Sequence, residues 1–134
     1  MQYKALIDAA CKAIDRTYAR YCGFKVGAAL ATISGNVFRG CNVENLSFGL
    51  TVCAESAAVA AAISNVKKDF AAIASVTGAI EPPVTCGARR QGLPELNPNL
   101  KIVAATVSGQ VQEFDLGKLF PAPNQGVLEA MRRV

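Results

Sequence analysis

Helix-forming and strand-forming segments alternate along this chain, and their order limits the fold classes open to it. Residues 2–18 place apolar side chains on one stripe at helical spacing, which predicts an amphipathic first helix. Residues 24–33 and 37–43 have the pattern of two strands, and the breakers between them predict a hairpin turn. After a loop, the alanine-rich residues 53–65 predict a second helix.

The second half of the chain adds a strand, a short helix and another hairpin. Residues 70–78 predict a strand buried on both faces, and residues 86–96 predict a short helix. Residues 101–114 predict the second hairpin, Asp115 is the predicted N-cap of a further helical turn, and residues 125–134 predict a terminal helix. This order predicts an α/β fold, a three-layer α/β/α sandwich on one mixed five-stranded sheet.

Size and composition predict one compact domain over residues 1–134. A chain of 134 residues, 51% of them hydrophobic, buries about two-thirds of its unfolded surface, so it needs no disulfides to hold a core. The low charged fraction of 18% favours an oligomer. Lys and Arg number 14 against 10 Asp and Glu, but they are scattered, a pattern that does not indicate nucleic-acid binding.

The sequence shows neither a signal peptide nor an apolar run long enough to cross a bilayer. Its five cysteines are widely spaced and odd in number, which is not the pattern of a disulfide framework. We therefore expect a cytoplasmic protein with reduced cysteines and no membrane partner.

Two of the cysteines, Cys53 and Cys86, stand at the starts of predicted helices. The free N–H groups and the dipole of a helix N-terminus favour the thiolate form, and two thiolates brought together could bind a divalent metal. Glu55 follows Cys53 within the first turn, where its carboxylate could hydrogen-bond a metal-bound water. Taken alone, the same residues also suit helix packing and ordinary compensation of the helix dipole.

The segments YCGFKVGAAL, GNVFRGCNVEN, CAESAAVAAAIS and TCGARRQ, in this order, resemble the small homotetrameric cytidine deaminases along nearly the whole chain. The resemblance implies zinc-dependent hydrolytic deamination of cytidine or a cytidine-like pyrimidine nucleoside. It implies that Cys53 and Cys86 are zinc ligands and that Glu55 is the proton shuttle. It also implies a homotetramer whose sites are shared between subunits.

The resemblance carries five further residues over as substrate contacts. Phe24 matches the aromatic side chain that packs against the pyrimidine ring. Asn42 and Glu44 match the pair that holds the ribose hydroxyls, and their spacing near a strand end aims both side chains to one side. The backbone at Ala54 matches a substrate contact. Phe48 stands in the loop that contacts neighbouring subunits, at a position where the family often has Tyr.

The chain departs from the family pattern at the metal site. Arg89 stands where the third thiolate ligand is expected, and Ser56 follows Glu55 in place of an arginine. A guanidinium has no lone pair to offer a metal and repels Zn²⁺ at short range. Cys22 is a possible replacement ligand that nothing in the sequence brings to the metal, whereas Cys11 and Cys41 are expected to fill the core.

Two alternative hypotheses follow from these departures. In the first, the protein is a metal-free relative that binds a nucleoside-like ligand without deaminating it. In the second, Cys53 or Cys86 acts as a thiolate nucleophile, activated by its helix N-terminus and by Arg89. The chain has no histidine to serve as the usual partner base, so Glu55 would have to take that role. We favour the deaminase because a pocket without a reaction has little use for Glu55.

Overall fold

The computed structural model describes residues 3–21, 23–47, 50–79, 93 and 97–119. The helices and strands of this part of the chain are, in order, α1 (Lys4–Ile14), β1 (Val26–Thr32), β2 (Val37–Cys41), α2 (Ala54–Ser64), β3 (Phe70–Thr77), β4 (Lys101–Thr106), β5 (Val111–Asp115) and α3 (Leu116–Leu119). The helices predicted at residues 86–96 and 125–134 lie outside the described residues, except that Leu93 is helical and buried.

The five strands form one sheet in the order β2-β1-β3-β4-β5. The strand pairs β1–β2, β1–β3 and β4–β5 are antiparallel, while β3–β4 is parallel. Helix α1 packs on one face, where its Leu6 and Ala10 join a core of small and β-branched side chains from the central strands. Helix α2 packs on the other face over larger side chains, among them Leu30, Phe70 and Ile73. The predicted three-layer α/β/α sandwich on a mixed five-stranded sheet is confirmed.

Two glycines allow the helices to lie very close to the sheet. A β-carbon at Gly27 of β1 would collide with the backbone of α1 at Ala10. A β-carbon at Gly40 of β2 would collide with the backbone of α2 at Ala54 and Ala58. Because α2 consists mostly of alanine, its backbone can approach the strands wherever the sheet also carries a small residue.

The predicted first helix is too long at its C-terminal end. α1 ends at Ile14 with Asp15 as its C-cap, and a tight turn follows in which the amide of Thr17 donates to the carbonyl oxygen of Ile14. Tyr18 has the spacing of the apolar stripe, but its amide donates to the carbonyl oxygen of Asn42 at 3.2 Å. The chain therefore leaves the helix in order to pair with the segment that follows β2.

The other predicted elements in the described residues differ from the structure by only a few residues at their ends. Asp115 is the last residue of β5 and immediately precedes α3, and its carboxylate binds Lys101 and Lys118. No helix in the described residues is long and apolar enough to span a membrane.

Candidate active site

The N-terminus of α2 holds the first candidate metal ligand. Cys53 is the N-cap residue, with extended backbone angles of φ −72° and ψ 152°, and its side chain is partly buried. Its carbonyl oxygen accepts the first helical hydrogen bond, from the amide of Ala57 at 3.1 Å. The first turn of a helix carries backbone N–H groups without helical partners, so this end favours a negatively charged sulfur.

Glu55 lies in the first turn of α2 and is only 8% exposed. Its carboxylate faces the sheet, where the hydroxyl of Ser75 on β3 donates a hydrogen bond to Oε1 at 2.8 Å. Ser75 is itself 2% exposed, so this is a buried contact between a helix and a strand. Buried carboxylates need hydrogen-bond donors, and here the chain provides one from a residue 20 positions further on.

The sheet beneath this first turn is lined by a row of small residues. The register places Ser75 opposite Ala28 on one side and opposite Ala104 on the other, and Ala28 is in turn opposite Gly40. The neighbouring row on the same face contains the larger Leu30, Ile73 and Ile102 of the hydrophobic core. The small row leaves room for the start of α2, so the Glu55 carboxylate can reach the strand.

Asn42 and Glu44 follow β2, with their side chains buried on either side of the exposed Val43. This alternation agrees with the expectation that both side chains point to one side. The Asn42 carboxamide and the Glu44 carboxylate also hold the first residue of β1 and the segment before it. Asn42 Oδ1 accepts from the amide of Val26 at 2.9 Å, and Glu44 Oε2 accepts from the amide of Tyr21 at 3.2 Å.

Phe24 belongs to the segment that Asn42 holds in place. The side-chain amide of Asn42 donates to the carbonyl oxygen of Phe24 at 2.7 Å, and the aromatic ring is 49% exposed. The ring borders an open cleft of about 430 Å³, which also reaches Thr77 at the end of β3 and Val107 after β4. A half-exposed ring on a firmly held backbone can stack against a planar ligand without paying for much reorganisation.

The structure brings together only part of the site expected from the sequence. Cys53, Ala54 and Glu55 are contiguous at the start of α2, and Phe24, Asn42 and Glu44 form a second group before β1 and after β2. Three further expected site residues, together with the possible replacement ligand, lie outside the described residues: Phe48, Cys86, Arg89 and Cys22.

Cys53 is chemically suited to bind zinc, because a partly buried cysteine at a helix N-terminus is a good thiolate ligand. Within the described residues no group of three or more His, Cys, Asp or Glu side chains lies close enough together to hold a metal ion. The sequence supplies Cys86 as the second sulfur donor and no histidine.

Cys11 lies on α1, and Cys41 contacts the segment that follows α1. Cys11 is partly buried on α1 against the core of the opposite sheet face, and desolvation by burial raises the pKa of its thiol above the ordinary value. The Cys41 thiol donates to the carbonyl oxygen of Arg16 at 3.3 Å. Both side chains are only partly buried, so neither is a fully enclosed core residue, although Cys11 does pack against the core as expected.

Sequence reasoning did not identify Ser75 as part of the site. The sequence nevertheless marked this residue, because Ser75 is the one polar side chain before Thr77 in the apolar strand β3. A lone hydroxyl in a buried strand needs a partner, and this requirement could have pointed to a neighbouring helix. The sequence gives no indication that the partner is Glu55.

The chain is similar to known proteins over most of its length. Residues 1–91 match the family described as the cytidine and deoxycytidylate deaminase zinc-binding region. A cytidine deaminase of Halalkalibacterium halodurans is 41% identical over 122 residues, which are 90% of this chain and 92% of the relative. Another, of Sporosarcina psychrophila, is 35% identical over 122 residues, 90% of each chain.

Solved structures agree with this similarity. The crystal structure of a cytidine deaminase from Burkholderia pseudomallei superposes with a TM-score of 0.87 at 45% identity, covering 92% of this chain and 99% of that one. The cytidine deaminase of Mycobacterium tuberculosis gives a TM-score of 0.80 at 36% identity, covering 92% and 98%. By its sequence and by its fold, the chain belongs to the cytidine and deoxycytidylate deaminase family.

Proposed function

We propose that this protein is an aminohydrolase that converts cytidine, or a cytidine-like pyrimidine nucleoside, and water into the uridine analogue and ammonia. The observation that carries the proposal is the position of Glu55, a buried carboxylate in the first turn of α2, two residues after the Cys53 N-cap. Relatives named cytidine deaminase, which match about nine-tenths of the chain, support the same reaction.

Glu55 is the proposed proton shuttle. Replacing the amino group of the ring with oxygen requires a proton to be taken from the attacking water, one to be added to a ring nitrogen and one to be given to the departing ammonia. A single carboxylate can make these transfers in turn if it lies beside the reacting carbon. The buried position of Glu55 limits its access to bulk water, so its protons pass to the substrate rather than to solvent.

Cys53 and Cys86 are the proposed zinc ligands. When bound, zinc supplies a water molecule acidic enough to react at neutral pH. Two thiolates bring a charge of −2 and Arg89 brings +1, so the protein ligands and this arginine together retain a net negative charge that favours a divalent cation. We infer that this set binds zinc more weakly than three thiolates do, because the guanidinium supplies no bond.

The remaining expected residues bind the nucleoside. Phe24 packs against the pyrimidine ring, and its half-exposed side chain supports that role. Asn42 and Glu44 hold the ribose hydroxyls, since a carboxamide and a carboxylate can both hydrogen-bond hydroxyl groups. The backbone of Ala54, at the free N-terminal end of α2, contacts the substrate next to Cys53.

The proposed assembly is a homotetramer of single domains that each span residues 1–134. Exposed apolar side chains lie around the segments before and after residues 48–49, as a subunit interface requires: Val43, Leu46, Leu50 and Val52. Phe48 stands between these side chains in the sequence, where it would reach the site of a neighbouring subunit.

Cytidine turnover by the zinc-loaded protein tests this function, with Glu55→Gln and Glu113→Gln as a matched pair. Glu113 is exposed on β5, so its amide variant controls for the loss of one carboxylate. We expect Glu55→Gln to lower kcat by at least about 100-fold, as the removal of a general acid–base group does, and Glu113→Gln to leave it unchanged. Folded wild-type protein that binds cytidine but forms no uridine with added zinc would refute the proposal and favour a nucleoside-binding relative.

A further inference from the structure

The carboxylate of Glu55 is hydrogen-bonded by the hydroxyl of Ser75, a residue that was not among the expected site residues. Ser75 Oγ donates to Glu55 Oε1 at 2.8 Å, and both side chains are more than nine-tenths buried. The contact joins the first turn of α2 to the centre of β3, the middle strand of the sheet. A buried hydrogen bond to a charged acceptor is among the stronger hydrogen bonds in proteins.

Among the described residues, the Glu55 carboxylate is the hydrogen-bond partner of the Ser75 hydroxyl. Its neighbours across the sheet on the same face are Ala28 and Ala104, which carry no polar side-chain atoms. The next polar side chain on this strand and face is Thr77, whose hydroxyl makes a longer contact of 3.4 Å with the carbonyl oxygen of Lys25. Of these described neighbours, neither alanine offers a side-chain acceptor that competes with the Glu55 carboxylate.

Glu55 gains a fixed orientation from this contact. A glutamate side chain has three rotatable bonds, and burial alone does not decide which way its carboxylate group turns. Within the described part of the chain, Ser75 is the hydrogen-bond partner of the carboxylate, and the bond engages Oε1 only. Within the same described residues the second oxygen, Oε2, has no hydrogen-bond partner, so it can exchange protons with a bound water or substrate.

We propose that Ser75 is a positioning residue for deamination, because it holds Oε1 of Glu55 and so presents Oε2 to the reacting atoms. This inference rests on the proposed function. Ser75 touches neither substrate nor metal in this account, and it acts only through Glu55. A proton shuttle that is correctly aimed raises kcat, whereas a change in its orientation has little effect on how the ring and the ribose are bound.

The test compares Ser75→Thr with Ser75→Val. These two side chains have nearly the same shape and place the same added volume against Ala28 and Ala104, but only threonine keeps the hydroxyl. We expect Ser75→Val to have a kcat about 10- to 100-fold below that of Ser75→Thr, the range that follows from a misaimed catalytic group, with KM values within about twofold of each other. Ser75→Ala should resemble the valine variant.

Thr32→Val is the control variant, because it removes a buried hydroxyl that does not contact Glu55. Thr32 is buried at the far end of β1, and its hydroxyl bonds Ser34 and Asn36 in the hairpin turn. We expect this variant to lower the melting temperature without changing kcat in conditions where it is folded. Equal kcat values for Ser75→Thr and Ser75→Val would overturn the positioning role while leaving the proposed function intact. A folded, zinc-loaded wild-type protein without cytidine turnover would overturn both.

Discussion

Gly40 of β2 lies so close to the first turn of α2 that a β-carbon at this position would collide with the carbonyl oxygen of Ala54 and the amide nitrogen of Ala58. The same turn carries Cys53 at its N-cap and Glu55 on its buried side. The missing side chain of Gly40 therefore allows Cys53, the candidate ligand, and Glu55, the proposed proton shuttle, to lie close to the sheet.

Substituting Gly40 with alanine should displace the start of α2 and damage the site as well as the fold. Gly27→Ala is a matched control, because its β-carbon would collide with the backbone of α1 on the opposite sheet face. We expect each variant to lower the free energy of unfolding by about 1–3 kcal/mol, the usual cost of overpacking. Denaturant unfolding and cytidine turnover together distinguish them, since only Gly40→Ala should also lose activity. Equal loss of turnover in both variants would contradict this prediction.

The Asn42 side chain should contribute to stability and to substrate affinity at once. Its carboxamide hydrogen-bonds the amide of Val26 and the carbonyl oxygen of Phe24, so Asn42→Ala removes a hydrogen bond from each of these two backbone groups. We expect the free energy of unfolding to fall by about 1–3 kcal/mol and the KM for cytidine to rise, because the Phe24 segment loses its anchor. Asn99→Ala, at an exposed loop position, is the control and should change neither quantity.

Asp115 and Lys101 form an ion pair on the last two strands of the sheet. This ion pair should make the free energy of unfolding depend on pH. The hydrogen bond that Lys101 Nζ donates at 2.7 Å holds the pKa of Asp115 below its ordinary value. A carboxyl whose folded-state pKa is lowered stabilises the fold above the unfolded pKa of about 3.9 and loses that effect as the pH falls through the folded value.

Unfolding of the wild type and of Asp115→Asn between neutral and acid pH measures this effect. We expect the wild type to be the more stable protein at neutral pH and the difference to close in acid. In a Lys101→Met background the same substitution should produce a much smaller change with pH. A stability difference that stays constant across the range would show that the carboxylate charge is not its cause.

Much of the architecture could be predicted because it follows from short-range patterns. The continuous apolar run of residues 70–78 indicated a strand buried on both faces, and the breakers between residues 32 and 37 indicated a hairpin; the structure confirms both. The predicted C-terminal end of α1 was wrong. Tyr18 has the spacing of the helical stripe, but its backbone pairs with Asn42 instead of continuing the helix. Pairing across such a distance overrides a local pattern, and one sequence does not reveal it.

The site was less predictable than the fold because its hydrogen bonds also join residues that are far apart in the sequence. The spacing of Asn42 and Glu44 predicted that both side chains are directed to one side, and both side chains are buried in the structure. Their contacts with Val26 and Tyr21 span 16 and 23 residues, so no local signal announces them. The bond between Ser75 and Glu55 spans 20 residues and depends on small side chains in neighbouring strands.

Restoring a thiolate should strengthen zinc binding. In the proposed site Arg89 takes the place of a third thiolate ligand, so Arg89→Cys should add a ligand and remove a repelling charge. We expect zinc affinity to rise by at least about tenfold, as measured by competition with a chromogenic chelator. Arg90→Cys adds a thiol one residue later and should have a smaller effect. Equal affinities of the wild type and Arg89→Cys would mean that position 89 does not govern metal binding.

The most direct measurement is the conversion of cytidine to uridine by protein purified without chelator, with zinc determined in the same sample. We expect one zinc ion per chain. We also expect uridine formation to stop when zinc is removed and to resume when zinc is returned. Folded protein that contains zinc but forms no uridine would contradict the central claim. So would turnover that is unaffected by complete removal of the metal.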